Sequence, residues 1–478
     1  MHFKTIFKSL KNKDMLKRVF IILGILVAYR LLAHIPVPMG DASTFKEAVS
    51  NLMEKSDFSS FLNLISGGGL ASFSIILVGI SPYITGSIII QLLTKAIPSL
   101  EEISQDGETG RRKINQWTRI LTIPLAIIQS VAYIFILYKS TLAANIATDF
   151  VPTARDWALS ITAMTAGSVI LMWLGELITE QGIGNGISMI IFASIISQLP
   201  TTLASLGAAL FDTSNGSLSM FGWLNLPVNP TIFWILVGFT IAMLVVIYFL
   251  VKLNEAQRVI TINYAKRVHG NTSYGGIKSI LPIKLIAAGV IPVIFATAFL
   301  SLPALVGQVI TSVDPGNEAG TALTTMFTAP SANNFQAQYP NGITPEWFIY
   351  PTVYFILVVV FTFFYTSIMF NTNEIADNLQ KQGGFIEGVR PGITTAKYLS
   401  KMLNRLNLFG SLALGLIAML PFITDYIFIV LIGYPIGLSI SGTGLLIIVT
   451  VALENLRSLD SRALMVTYDD YSNDTEDK

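Results

Sequence analysis

The chain has 478 residues, of which 52% are hydrophobic and only 12% are charged. Soluble domains contain roughly 25% charged residues, so this composition indicates a polytopic membrane protein. Lys and Arg together number 30 and Asp and Glu number 29, so the net charge of +1 does not indicate an acidic partner. The absence of cysteine excludes a disulfide framework and a thiolate metal site.

Long apolar stretches divide the chain into ten predicted membrane spans. A spanning helix needs about 20 mainly apolar residues to cross about 30 Å of hydrocarbon. On that criterion the predicted spans are 18–36, 73–95, 118–139, 156–178, 186–210, 231–253, 283–310, 348–370, 403–423 and 427–453. The basic N-terminus leads into a long apolar run without a small-residue cleavage site, so we expect a first span rather than a removable signal peptide.

The positions of Lys and Arg predict the orientation of these spans. With ten spans both termini lie on the same side, and most of the basic residues would lie there too. The other side would hold only Lys46, Lys55, Lys139 and Arg155, while Arg30 lies inside the first span. Because basic loops stay in the cytoplasm, we predict that both termini are cytoplasmic.

The same pattern predicts how the chain is divided. The predicted segments are a cytoplasmic N-terminal arm (1–17), an N-terminal half with spans one to five (18–210), an external hinge loop (211–230), a C-terminal half with spans six to ten (231–453) and an acidic cytoplasmic tail (454–478). The loops 254–282 and 371–402 are long and basic, which indicates a docking surface for a soluble partner. Two halves of five spans are often related by an inverted pseudo-two-fold axis.

The sequence lacks the common motifs of catalytic and phosphate-binding sites. It contains no His-Glu-x-x-His, no Gly-x-Ser-x-Gly, no phosphate-binding Gly-x-x-x-x-Gly-Lys and no paired aspartates within the spans. Arg30, His34 and Glu176 are the charged or titratable groups near span ends, and we expect snorkelling or capping rather than an ion relay. An enzyme is therefore disfavoured. A ten-span ion-coupled secondary transporter remains the alternative function, and an insertase or scaffold without a pore is a third class.

Glycines interrupt the apolar pattern at two places. Residues 61–91 as one helix would extend about 46 Å, which exceeds the hydrocarbon core, whereas 61–72 alone would reach only about 18 Å. Such a short segment is tolerated at membrane depth only where protein or water surrounds it, and we expect Pro82 to bend the span that follows. Between spans four and five, Gly182, Gly184 and Gly186 predict a tight reversal.

Several long stretches resemble the SecY family, the channel-forming subunit of the Sec protein translocase (SecYEG). They are HIPVP (34–38), NLISGGGLASFSIILVGISPYITGSIIIQLLT (63–94), DGETGRRKINQWTR (106–119), WLGELITEQGIGNGISMIIFASI (173–195), INYAKR (262–267), LPIKLIAAGVIPVIFA (281–296), FFYTSIMFNTNEIADNLQKQGGFIEGVRPGITTAKYL (363–399) and SGTGLLIIV (441–449). Together they follow the family order over most of the chain.

The resemblance implies an all-α integral membrane protein in which ten transmembrane helices form two pseudo-symmetric five-helix halves, a clamshell around a pore. By motif position it implies a pore ring of Ile80, Ile84, Ile187, Ile191, Ile294 and Ile447. It implies a short plug helix within 61–72, with plug residues Phe61, Leu62, Asn63, Leu64, Ile65, Ser66, Gly67, Gly68, Gly69 and Leu70. A lateral gate between spans two and three and spans seven and eight would include Thr85, Ser87, Gln91, Ile294 and Thr297.

The function implied by the resemblance is a protein-conducting channel, without enzymatic activity or cofactor. It would translocate unfolded secretory polypeptides across the membrane and release transmembrane segments laterally into the membrane lipids. The implied partners are the SecE and SecG subunits, the SecA motor ATPase and the ribosome, and the implied location is the cell inner membrane. Arg258, Lys266, Arg267 and Arg390 would bind SecA or the ribosome. The acidic end YDDYSNDTEDK departs from the basic tail common in the family, so contacts of that tail are not carried over.

Overall fold

The structure is a computed structural model of the chain. It describes residues 13–38, 69, 72–143, 152–211, 218–220, 224–264, 267–269, 272–274, 278–286, 288–314, 316–328, 345–432 and 442–476. The α-helices in these ranges are α1 (Lys13–Leu32), α2 (Ser81–Ala96), α3 (Pro98–Gln105), α4 (Gly107–Ala143), α5 (Ala154–Glu180), α6 (Gly186–Leu210), α7 (Pro230–Glu255), α8 (Ile291–Val313), α9 (Glu318–Phe327), α10 (Ile349–Met369), α11 (Thr372–Lys381), α12 (Ile393–Ile432) and α13 (Gly442–Glu476).

Within the described ranges, 6 helices are long and apolar enough to cross a membrane, and they lie in α4, α5, α7, α8, α10 and α12. The pair α2 and α3 is apolar enough to count as a further span but bends by 108° at the break between them. The other predicted spans coincide with α1, with the shorter apolar helix α6 and with α13. Each predicted span therefore falls at least partly on a helix.

For two spans, the predicted start lies several residues before the first residue of the helix in the structure. The helix of span two begins at Ser81 rather than at 73, and residues 72–80 form turns. The helix of span seven begins at Ile291 rather than at 283, because the preceding residues to Lys284 pair as a β-strand. In both cases a glycine with positive φ, Gly79 or Gly289, stands just before the helix and a proline occupies its first turn. Proline starts a helix easily at that position because its missing N–H would have no partner there.

The predicted boundary between spans nine and ten is also wrong. α12 continues without a break to Ile432, through the polar residues Thr424 and Asp425 that stand between the two predicted spans. Neither residue breaks a helix as proline or glycine would. The stretch 427–432, assigned to span ten, therefore belongs to α12, and the tenth span is the N-terminal part of α13.

Short β-strands lie outside the predicted spans, except that the end of the strand Lys278–Lys284 overlaps the predicted start of span seven. They are β1 (Leu218–Met220), β2 (Leu224–Leu226), β3 (Gln257–Tyr264), β4 (Arg267–His269), β5 (Thr272–Tyr274), β6 (Lys278–Lys284) and β7 (Gly384–Ile386). β3 pairs antiparallel with β6 on one side and with β7 on the other. The two long basic loops, 254–282 and 371–402, are thereby joined in one sheet.

Candidate pore and lateral gate

The six isoleucines of the predicted ring belong to one large buried apolar cluster or pack against it. Ile80, Ile84, Ile191, Ile294 and Ile447 are each buried, with 2–7% of the side chain exposed, and Ile187 is partly buried against them. Ile80 directly precedes α2, Ile84 lies in α2, and the others lie in α6, α8 and α13, so elements from both ends of the chain contribute to the cluster. Apolar side chains from both halves of the helical bundle thus share one buried cluster.

Local sequence fixes Ile80, the residue just before α2, and Ile84 in the first turn of α2. Gly79 takes a positive φ of 64°, and Pro82 lies in the first turn of the helix. The carbonyl of Ile80 accepts hydrogen bonds from the backbone N–H groups of Tyr83 and Ile84, both at 3.1 Å. The expectation that Pro82 bends the span is therefore wrong: it starts the helix, and so places Ile80 and Ile84 one turn apart on one face.

A glycine turn fixes the two isoleucines on α6. Gly182 and Gly184 have φ values of 72° and 84°, which only glycine adopts cheaply. The Asn185 side chain then caps α6 by accepting hydrogen bonds from the backbone N–H groups of Ile187, at 3.0 Å, and Ser188, at 3.4 Å. A Cβ on Gly186 would overlap the carbonyl oxygen of Gly175 on α5, so its lack of a side chain permits close packing rather than an unusual backbone conformation.

Backbone hydrogen bonds join the segment just before α2, residues 72–80, to the stretch after α1. The backbone N–H of Val37 donates to the carbonyl of Phe73 at 2.9 Å, and Ile75 donates to Ile35 at 2.9 Å. α5 presses against this segment at Gly167, where a Cβ would overlap the Ile75 carbonyl oxygen. The segment that follows the predicted plug is thereby held in place by the stretch after α1 and by α5. Of the plug residues, Gly69 alone is described, as a turn; Phe61–Gly68 and Leu70 lie outside the described residues.

The predicted gate corresponds to a helix interface. α8 contacts both α2 and α4. On the facing helices Thr85 and Thr297 are buried, and Gln91 donates to Ser87 Oγ at 2.9 Å. Thr297 Oγ1 donates to the Ile294 carbonyl at 2.9 Å, whereas Thr85 Oγ1 is buried without a hydrogen-bond partner among the described residues. An unsatisfied buried hydroxyl weakens an interface.

A contact that the sequence analysis missed connects α13 to the glycine turn. Ser458 Oγ accepts a hydrogen bond from the Gly184 backbone N–H at 3.1 Å, and Arg462 Nε donates to the Gly182 carbonyl at 3.1 Å. Asn455 packs so closely that a Cβ on Gly184 would overlap its amide oxygen. The run of polar residues immediately after an apolar span was the available signal.

The same part of α13 also holds the end of α7. Arg457 donates from Nη1 to Asn254 Oδ1 and from Nη2 to the Asn254 carbonyl, both at 2.8 Å. Nearby on β6, burial lowers the pKa of the Lys284 ammonium, the charge of Arg457 lowers it further, and the Glu454 carboxylate opposes both effects. α13 therefore links the turn between α5 and α6 with the end of α7, which are far apart in sequence.

The predicted partner residues are only partly described. Arg258 on β3 and Arg390 are both exposed. Lys266 lies outside the described residues, and of Arg267 only the backbone is described, in β4. Gly388 and Gly392, with φ values of 78° and 92°, flank Arg390, and Thr395 Oγ1 donates to the Arg390 carbonyl at 2.9 Å. The arginine is thus presented on an ordered turn.

The charged groups near span ends have local partners. Glu176 forms an ion pair with Arg119 at 2.7 Å, and His34 Nδ1 lies 2.8 Å from the Arg30 carbonyl. In the described part of the chain, no group of three or more His, Cys, Asp or Glu side chains could hold a metal ion. The isoleucines of the predicted ring belong to a buried apolar cluster that lies beside the interface of α8 with α2 and α4. In a multi-pass membrane protein, an apolar cluster of this kind can close a channel without charged groups.

Comparison with known proteins gives the family. The SecY family profile matches residues 74–456. The protein translocase subunit SecY of Streptomyces coelicolor is 39% identical over 468 residues, which cover 97% of this chain and 98% of that protein. The chain belongs to the SecY family.

Solved structures with lower identity share the fold. One comes from work on the plug domain that stabilises the closed state of the SecY translocation channel and maintains a membrane seal. Its TM-score is 0.62 at 19% identity, and the match covers 92% of this chain and 90% of that chain. Sec61 in the canine ribosome-channel complex has a TM-score of 0.59 at 19% identity, with the same coverage. The fold is accordingly that of an all-α membrane protein with ten spans in two five-helix halves.

Proposed function

We propose that the chain is the protein-conducting channel of a Sec translocase. It moves unfolded secretory polypeptides across the membrane and releases transmembrane segments sideways into the lipid. The observation that carries this proposal is the buried apolar cluster in a chain of the SecY family. It brings together residues of α2, α6, α8 and α13 and the residue before α2, among them Ile80, Ile84, Ile187, Ile191, Ile294 and Ile447.

The chemistry of the constriction suits that function. A narrow apolar waist excludes water, so it blocks ions without a charged gate. Branched aliphatic side chains offer no hydrogen bonds that would select among substrates, and they can move aside for any polypeptide. An ion-coupled transporter would instead bury charged groups near the middle of the membrane, where they are retained for coupling. The ion pair Arg119–Glu176 is partly exposed near a helix end, so it gives the transporter alternative no support.

The plug and the lateral gate complete the proposed channel. Residues 61–70 would close the outer side of the ring, held in place by the anchored segment before α2. The interface of α8 with α2 and α4 would open towards lipid, with Thr85, Ser87, Gln91, Ile294 and Thr297 along it. The contacts of α13 with both the glycine turn and α7 would keep the halves joined at their cytoplasmic side while the gate opens.

The proposed partners follow from the family and from the basic loops. SecE and SecG would be the companion subunits, and SecA or a ribosome would supply the driving energy, so the chain itself would catalyse no reaction. Arg258, Lys266, Arg267 and Arg390 would contact the motor or the ribosome from the two loops, which the pairing of β3 with β7 joins. We place the chain in the cell inner membrane with both termini cytoplasmic, and retain the predicted segments 1–17, 18–210, 211–230, 231–453 and 454–478.

Reversing the charge of Arg390 tests the docking role. In vesicles containing the translocase and its motor ATPase, Arg390→Glu should slow the protection of a secretory precursor from added protease by about tenfold, since a partner's acidic group would meet a like charge. The matched control is Arg111→Glu, which reverses an exposed charge outside the two docking loops and should leave the rate unchanged. Equal rates for both variants would contradict the role of Arg390, whereas failure of the unmodified chain to protect any precursor would contradict the channel function itself.

A further inference from the structure

A basic groove lies between α10 and α12, away from the isoleucine cluster. Its volume is about 700 Å³, and it is lined by Phe363, Lys397, Ser400, Lys401, Asn404, Arg405 and Leu408. None of these described lining residues is acidic. The ion pairs among the described residues are Lys95–Glu101, Arg112–Glu108 and Arg119–Glu176, and all of them lie elsewhere. The three cations of the groove, Lys397, Lys401 and Arg405, therefore have no carboxylate partner among the described residues.

The groove changes from charged to apolar along its length. Positions 397, 401, 405 and 408 share one face of α12 and extend over about 16 Å of helix. Lys397 stands four residues after the start of α12, while Leu408 and Phe363 lie at the deeper end. A hydrogen-bond contact between Thr366 Oγ1 and Asn407 Oδ1, at 3.1 Å, fixes α10 against α12 at this depth.

Exposed apolar side chains continue the groove into the hydrocarbon region. Leu408, Leu412 and Leu416 are 42–57% exposed and follow one another along a face of α12. On α10, Ile356 and Val360 are exposed and share a face with Phe363. The cations therefore stand where a membrane surface meets its hydrocarbon interior, with an apolar track leading inward from them.

We propose that this groove binds an anionic phospholipid. The headgroup phosphate would lie among Lys397, Lys401 and Arg405, with Ser400 and Asn404 available as hydrogen-bond donors, and the acyl chains would follow the apolar faces of α10 and α12. Basic pockets between transmembrane helices at the cytoplasmic side attract anionic lipid headgroups in this way. An acidic soluble protein could satisfy the cations but would leave the apolar track uncovered, so the lipid fits the whole groove better.

Photolabelling of the intact translocase tests the proposal. The complex is reconstituted in phosphatidylcholine vesicles containing a photoactivatable phosphatidylglycerol, and labelled peptides are identified by mass spectrometry. We expect labelling of α10 and α12 around the groove, reduced about tenfold by the pair Lys401→Gln and Arg405→Gln, since juxtamembrane cations attract anionic headgroups. A photoactivatable phosphatidylcholine should label the same peptides weakly and equally in both proteins.

The control pair is Arg111→Gln and Lys113→Gln, which removes one arginine and one lysine from exposed positions of α4. Equal loss of labelling in the control pair would overturn the proposal, because the attraction would then be diffuse. Displacement of the label by inorganic phosphate would overturn it in favour of a free-anion site. Crosslinking of another subunit at the groove, without lipid labelling, would overturn it in favour of a protein occupant. Both variants are folded if their thermal unfolding midpoints equal that of the unmodified complex.

Discussion

Replacing Ile84 and Ile191 together by serine is expected to raise the ion conductance of the resting translocase by about tenfold, equivalent to about 1.4 kcal/mol of barrier. Both side chains are buried in the isoleucine cluster, with 6% and 3% exposed. A hydroxyl at each position would hold water where the apolar ring excludes it, and a hydrated constriction conducts ions. Conductance of the reconstituted complex in planar bilayers, without a translocating chain, measures the effect.

The matched control for the ring is the pair Ile84→Val and Ile191→Val, which removes a methylene from each side chain and keeps the constriction apolar. We expect only a small leak from it. Both pairs should be compared by thermal unfolding, since truncation of buried isoleucines also lowers the free energy of unfolding by roughly 1 kcal/mol or more each. A serine pair that folds and conducts no more than the valine pair would contradict the assignment of the ring.

Substituting Gly167 by alanine should lower the stability of the complex strongly. An added Cβ would overlap the Ile75 carbonyl oxygen and would lie 2.8 Å from the Ile75 carbonyl carbon, both of them backbone atoms. Backbone cannot rotate away as a flexible side chain can, so α5 or the anchored segment before α2 must shift, at a cost of about 3 kcal/mol. Thermal unfolding of the purified complex measures the loss, and a leak should accompany it because the plug would lose its anchor.

Gly238→Ala is the control for that substitution. Gly238 lies in α7, and a Cβ there would meet no atom within 4 Å. Alanine favours a helix over glycine, so this variant should be as stable as the unmodified chain or slightly more so. If Gly167→Ala proved as stable as Gly238→Ala, the close packing of α5 on Ile75 would be wrong.

Sequence reasoning predicted the fold where apolar length decides the structure. A stretch such as 154–180 or 349–369 must be helical to satisfy its backbone in lipid, and the structure has helices there. The reasoning failed at boundaries set by local geometry. Pro82 and Pro292 begin helices within apolar stretches, and Thr424 with Asp425 leaves α12 intact, so neither hydropathy nor polarity locates those ends.

The candidate site was predictable only through motifs. Periodicity shows that Ile80 and Ile84 share a face, as do Ile187 and Ile191, but it cannot show that α2 and α6 direct those faces to one place. The hydrogen bonds from Ser458 and Arg462 to the glycine turn join residues more than 270 positions apart, and such contacts leave no local pattern. The pairing of β3 with β7 likewise depends on a long-range register.

Crosslinking from the ring to a polypeptide in transit tests the channel most directly. Because the chain has no cysteine, Ile84→Cys introduces the single thiol, and a secretory precursor can be stalled in the translocase with a cysteine-reactive probe along its length. The account predicts adducts between position 84 and the part of the precursor that lies inside the membrane, and none without the motor or at a lipid-facing control such as Leu416→Cys, which is 57% exposed. A translocating precursor that gives no adduct at position 84, nor at any other position of the isoleucine ring, would contradict it.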